Sequence, residues 1–249
     1  MKKWLRYVFP LVVFVAFVAL WQGLSVKADS DYILPSPGAT LSSLWQVLGT
    51  AEFYAAYGAT LLRCLVTFLC SFLCAFGFAL LARYVLWARA TVDGIMSVFR
   101  AFPTLVVALW LILFLNSRVV ACLVTALVML PTLYTELTAL LSEIDPDLIE
   151  MAKLYRVPQS RVIGRFFIPA VSPSAVRIAG AGLSLNLKLM VAAEVLAQTA
   201  NSLGRLMNLA KTYLETATLL ALLLVTVCSG LLFEGIAKWL SRRLGRWKA

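Results

Sequence analysis

Ser184 and Lys188 stand four residues apart, a spacing that sets a hydroxyl and an amine on one face of a helix. A lysine beside a serine can serve as the base that activates a nucleophile. Arg177 and Ala181 fall on the same face, so the pair also reads as part of a small, polar stripe suited to a bundle interior or a watered pathway. Glu194 follows in the same stretch, and Arg63 lies in an earlier one. A charge near the centre of a membrane helix costs roughly 2.5–3.5 kcal/mol on insertion scales. Each of these groups therefore needs an ion partner on another helix, a route to the interface, or a pathway to line. Lys188 and Glu194 are six residues apart and look to different sides of one helix, which argues against a bridge between them. Two readings stay open for Arg63, Ser184, Lys188 and Glu194: structural pairing, or the lining of a translocation pathway for a polar or anionic solute.

Other chemistries are excluded or weakened by composition. The chain has no histidine, which removes His-based catalysis, His metal ligation and His pH sensing. Its five cysteines all sit inside apolar runs with no C-x-x-C pair, as small packing residues do. No G-x-x-x-x-G-K-[ST] loop is present, so ATP has no phosphate cradle of that kind here.

The elements that must hold these residues are membrane helices. The 249-residue chain is 62% hydrophobic with a mean hydropathy of +0.90. Its apolar runs are continuous, without the period-two alternation of a β-barrel. Crossing a hydrocarbon core of ~30 Å takes about 20 helical residues. This predicts an all-α, polytopic membrane protein of one domain, with spans near 4–26, 54–82, 102–115, 119–141, 174–197 and 217–239 and a polar segment over 142–173. The first span resembles a signal peptide, but its apolar stretch Val8–Leu24 is longer than a typical signal core and favours a retained anchor. Residues 29–50 read as a loop and a short surface helix, with Pro35 and Pro37 breaking regular structure.

Six spans put both termini on one side. With that side inside, fifteen basic residues in the inner segments and at the inner ends of the spans face inward, and four (Lys27, Arg118, Arg205 and Lys211) face outward. Such a bias is the positive-inside pattern. It also accounts for the net charge of +10 without nucleic acid, since no basic soluble domain is present to hold one. Lys211 and Tyr213-Leu214-Glu215, before the last span, suit interfacial anchoring or contact with an external protein.

The segment 142–173 then faces the cytoplasm. Asp145-Pro146-Asp147 is a helix start, with Asp145 as cap and Pro146 in the first turn. Leu148, Met151, Ala152 and Tyr155 share one face of the helix that follows, and Pro158 ends or kinks it. A second short helix runs from about Gln159 to Phe167, and Pro169 and Pro173 frame the next span. This is either an amphipathic loop on the headgroups or a knob whose apolar face docks in a partner's groove.

Here the sequence resembles the binding-protein-dependent ABC transporter permeases of the nitrate/sulfonate/taurine type. Glu150-Met151-Ala152, then Arg156 and Ile168-Pro169, resemble their EAA motif. Leu34-Pro35-Ser36-Pro37, Arg100-Ala101-Phe102-Pro103, and Ala193-Glu194 with Leu203-Gly204 resemble other segments of these permeases in the same order. Arg156 stands where the motif has glycine, so the turn there differs or Pro158 supplies it. The resemblance implies a type I importer permease in the bacterial inner membrane, working as a homodimer. It implies two copies of an ABC ATPase that bind ATP and Mg, and an extracytoplasmic solute-binding protein. Glu150, Met151, Ala152, Arg156 and Pro169 would lie on the ATPase-coupling element; the chain itself would hold no cofactor or metal. The competing readings are a stand-alone secondary transporter or channel, and an intramembrane enzyme built on Ser184 and Lys188.

Overall fold

Long apolar runs satisfy their backbone polar groups most simply as helices. The computed structural model describes residues 2–28, 30, 32–142, 154, 155, 158 and 168–244, and among these there is no strand. In chain order the helices are α1 (Lys2–Ala28), α2 (Pro37–Leu48), α3 (Ala51–Tyr84), α4 (Leu86–Ala101), α5 (Thr104–Ile112), α6 (Ser117–Ser142), α7 (Ile168–Leu196), α8 (Leu203–Thr212) and α9 (Thr216–Leu244). Five contain stretches long and apolar enough to cross a bilayer: Val8–Ala28, Ala51–Arg83, Ser117–Ser142, Val171–Leu196 and Thr216–Leu244. The protein is a polytopic, all-α membrane protein.

The span expected at 102–115 is not one helix. α5 has nine residues, about 13 Å at 1.5 Å per residue, and cannot cross alone. Trp87–Ala101 and Thr104–Ile112 instead form a pair bent by 79°, and the spans number six only if this pair is taken as one. Proline disfavours the helical region for the residue before it. Phe102, before Pro103, is extended at φ −66° and ψ 125°, so the helix breaks there. The Arg100-Ala101-Phe102-Pro103 motif therefore marks the elbow of this bent pair rather than the start of a span. Arg100 braces the elbow by donating to Thr135 Oγ1 on α6.

Local capping fixes the other boundaries. Ser36 caps α2 by accepting from the Ala39 N–H at 3.0 Å, with Pro37 at the first helical position. α7 begins at Ile168, six residues before the expected Ser174, and runs through both prolines. Pro169 falls in the first turn, where an N–H has no intrahelical partner anyway. Pro173 lies deeper, and its carbonyl accepts from Ser241 Oγ of α9 at 2.8 Å. Glu150, Met151, Ala152 and Arg156 lie outside the described residues, as does Asp145-Pro146-Asp147.

Hydrogen bonds define the two ends of the bundle. At one end Thr199 Oγ1, in the α7–α8 loop, donates to the Ser117 carbonyl that opens α6, at 3.1 Å. At the other, Arg83 of α3 donates to the Leu141 carbonyl near the end of α6 at 2.6 Å. α7 packs against α9 along small residues. A Cβ added at Gly180 would fall 2.0 Å from the Cβ of Ala237, and one at Gly230 would fall 2.8 Å from Ser184 Oγ. Lipid tails are as apolar as leucine, so close backbone approach, rather than water exclusion, holds such a seam. α1 is exposed along most of its length. Trp21 and Ser25 tie it to the carbonyls of Pro35 and Leu34.

Candidate translocation pathway

α7 is the most enclosed of the spans, and its residue types divide it into two faces. Leu187, Met190, Val191 and Ala193 are buried against the core at the Thr199 end. Arg177, Ala181, Leu185, Lys188, Ala192 and Leu196 are all exposed. Their spacings of four, four, three, four and four trace one stripe along the helix. It carries two cations among small and apolar side chains. A lysine on an exposed face of an otherwise buried membrane helix marks a pathway or partner contact by default.

Ser184 lies at the edge of this stripe and is buried against Gly230 of α9. Its hydroxyl makes no hydrogen bond with Lys188, so the nucleophile–base contact required for Ser–Lys chemistry is not formed. Glu234, on α9, interacts with Ser184 and Lys188 and pairs with Lys238 at 3.4 Å. The Ser184 hydroxyl, though near that carboxylate, has no hydrogen bond of good geometry. Glu234 is a functional candidate that sequence reasoning passed over. The available signal was a lone carboxylate inside the last apolar run.

Arg63 and Glu194 are placed differently. They form the interhelical ion pair that the sequence left open against a pathway lining, with Nη2 2.7 Å from Oε1. Glu194 is 0% exposed and Arg63 14%. The carboxylate also accepts from Arg63 Nε at 2.9 Å, from Thr60 Oγ1 at 2.9 Å and from the Gly204 N–H at 3.3 Å. Thr60 in turn accepts from the Leu203 N–H at 2.9 Å, and Arg63 donates to the Asn201 carbonyl at 3.0 Å. Burying two charges demands that their remaining lone pairs and protons be satisfied, and here α3 and the start of α8 supply the partners. Glu194 is thus fully enclosed, and Arg63 is mostly covered.

The start of α8 is shaped for this. Ser202 caps it by accepting from the Arg205 N–H at 2.9 Å. Gln198 and Asn201 hold positive φ of 48° and 49° to turn the chain back from α7. Gly204 is needed for closeness, since a Cβ there would lie 2.5 Å from the Cβ of Glu194 and 2.6 Å from the Val195 nitrogen. This is the physical content of the Ala193-Glu194 and Leu203-Gly204 stretch. Asn186, also fully buried, ties α7 to α3 by donating to the Cys64 carbonyl at 2.8 Å. Neither Thr60 nor Asn186 could be singled out from sequence, because buried polar residues in apolar runs reveal no partner.

Comparison with known proteins places this architecture. Residues 68–246 match the family described as "Binding-protein-dependent transport system inner membrane component". The chain belongs to that family. It is therefore a multi-pass inner-membrane permease of the ABC importer type, a transport component and not itself a catalyst. The permease is 27% identical over 254 aligned positions to the "Putative aliphatic sulfonates transport permease protein SsuC" of Escherichia coli (strain K12), covering 99% of this chain and 94% of that relative. It is also 27% identical to the "Riboflavin transport system permease protein RibX" of Chloroflexus aurantiacus (strain ATCC 29366 / DSM 635 / J-10-fl), covering 96% and 89%. Its fold matches a chain of the inward-facing MetNI methionine ABC transporter with a TM-score of 0.63 at 19% identity, covering 77% of the permease and 95% of that chain. It matches a bacterial alginate ABC transporter, solved in complex with an alginate-bound periplasmic protein, with a TM-score of 0.64 at 15% identity, covering 98% and 96%.

Proposed function

We propose that this permease is the membrane subunit of an ATP-driven importer that moves a small solute by alternating access. The family match over residues 68–246 carries this reading. Two copies pair in the membrane, and the exposed stripe of α7 lines the route between them. Lys188 favours an anionic group on the solute, while Arg63 and Glu194 support the wall behind it. The positive-inside count supports a cytoplasmic side for both termini and for the Arg83–Leu141 end. The Glu194 end then faces outward and receives solute from an extracytoplasmic binding protein.

Two ATPase subunits supply the energy, since this chain carries no P-loop. ATP and Mg bind to those subunits. Glu150, Met151, Ala152, Arg156 and Pro169 make up the element through which ATPase movement reaches the spans. The whole chain forms one membrane domain around this purpose.

The test is co-purification and uptake with the ATPase and binding protein. Glu150→Lys is expected to reduce ATPase recovery while the chain still inserts. Wild-type ATPase recovery would count against the coupling assignment. Uptake by the permease alone in liposomes, without ATP, would instead establish a stand-alone transporter.

A further inference from the structure

The Glu194 network is an anion site whose ligand belongs to the chain. A helix N-terminus with free N–H groups, beside an arginine, is a ready place for an anion. Here the ligand is the carboxylate of α7, and the cradle comes from two other helices. Thr60 and Arg63 of α3 hold one side, and the Gly204 N–H of α8 holds another. Thr60 is 0% exposed, like Glu194, so the cradle is fully enclosed on that side. Three elements therefore meet on one carboxylate.

Directly beside the cradle is a cleft of about 280 Å³ lined by Glu52, Ala56, Asn201, Ser202, Arg205 and Leu206. Two of its lining residues are bonded into the network. Asn201 offers its carbonyl to Arg63, and Ser202 caps the helix whose Gly204 N–H reaches Glu194. A group entering the cleft thus touches the cradle's own supports. Lys188, on the exposed α7 stripe, lies less than two turns from Glu194.

We infer that Glu194, Arg63 and Thr60 are positioning residues that join α8 and the outer ends of α3 and α7 into one mechanical unit, through which a protein seated on the α8 cleft acts on the Lys188 face. The joining of these helix ends is argued from the cradle's own bonds. The role of the seated protein rests on the importer reading and takes the binding protein as the occupant, with Glu52 and Arg205 giving it charges of both signs to meet.

Two measurements separate these parts. In the first, Glu194→Ala is purified in detergent and melted with and without formate. Formate is expected to refill the cradle and recover most of the lost melting temperature, with no effect on wild type or on Arg63→Ala/Glu194→Ala. If the variant folds only with formate in the growth medium, the yield of folded chain is the readout. Equal behaviour with and without formate overturns the cradle. In the second, the complete transporter carries Glu194→Gln. The binding-protein concentration for half-maximal ATPase stimulation is expected to rise about ten-fold, while a merely weakened fold would lower the maximum and leave that concentration in place. An unchanged half-maximal concentration overturns the transmission role. Failure of the binding protein to stimulate even the wild-type complex would sink the importer reading and leave the formate result standing.

Discussion

Glu194 and Lys188 lie six residues apart on α7 and meet opposite conditions. Glu194 is fully enclosed, with every lobe of its carboxylate answered by α3 or α8. Lys188 stands on an exposed stripe beside Ala192 and Leu185, in the electrostatic field of the Glu234 carboxylate. One helix therefore presents a closed polar lock on one side and an open cationic face on the other. The difference shows how a membrane protein uses charge in two ways. A satisfied buried pair fixes the relative placement of helices, and an unsatisfied exposed charge remains for something that passes or docks. Rotating α7 by a third of a turn would turn Lys188 toward the side that Glu194 now occupies and ruin both. The Gly180–Ala237 and Ser184–Gly230 contacts forbid that rotation, because they leave no room for a Cβ to turn through.

The largest effect should come from the closest approach in the lock. Gly204→Val would drive a side chain into Glu194 and the α7 backbone, where even a Cβ meets atoms at 2.5–2.7 Å. Loss of folded, monodisperse protein in detergent is expected, and recovery at wild-type yield would show that α8 is free to shift. The ion pair comes next. Arg63→Met should cost about 3–5 kcal/mol by leaving a buried carboxylate uncompensated. Arg63→Met/Glu194→Met should cost less than the sum of the single changes, since neither charge then remains. Additive losses in thermal melts would mean that the two groups do not act as one.

The open face should respond in the opposite manner. Lys188→Met is expected to move the melting temperature by no more than about 2 °C while changing uptake kinetics. A large thermal loss with normal uptake would transfer Lys188 to the structural side of the comparison. The smallest effect belongs to the Arg89–Asp93 pair on α4, separated by 3.9 Å with both side chains more than half exposed. Arg89→Ala should leave stability within a few tenths of a kcal/mol, as exposed i,i+4 pairs do. A clear loss would show that the pair itself helps to hold α4, beside Val92 and Met96 in the core and the bonds of Arg100 to Thr135 and of Tyr134 to Asp93.

Much of this was legible before any coordinates. The positions of five spans and the resemblance of Ala193-Glu194 with Leu203-Gly204 to a family pattern follow from residue types in local order. The broken third span was not legible, although its cause was in view. Arg100-Ala101-Phe102-Pro103 announces a stop, but its placement within a span depends on α4 packing against α6 through Met96, Met129 and Leu133. Hydropathy alone leaves α4 outside the spans expected at 54–82 and 102–115. The early start of α7 at Ile168 was missed for a related reason, since the two prolines there are tolerated in and near a first turn instead of ending the helix.

The sequence by itself determined the class of molecule: an all-α membrane permease whose family pattern is spread along the chain. Hydrophobicity, helical period and short motifs are local properties, and a bilayer leaves helices little freedom to be anything else. Only the tertiary structure decided which charge is locked and which is open. Arg63 and Glu194 are 131 residues apart, and no local rule pairs them. Their meeting, and the exposure of Lys188, follow from how α3, α7, α8 and α9 pack through Gly180, Gly204 and Gly230, where the missing side chains set the distance between helices.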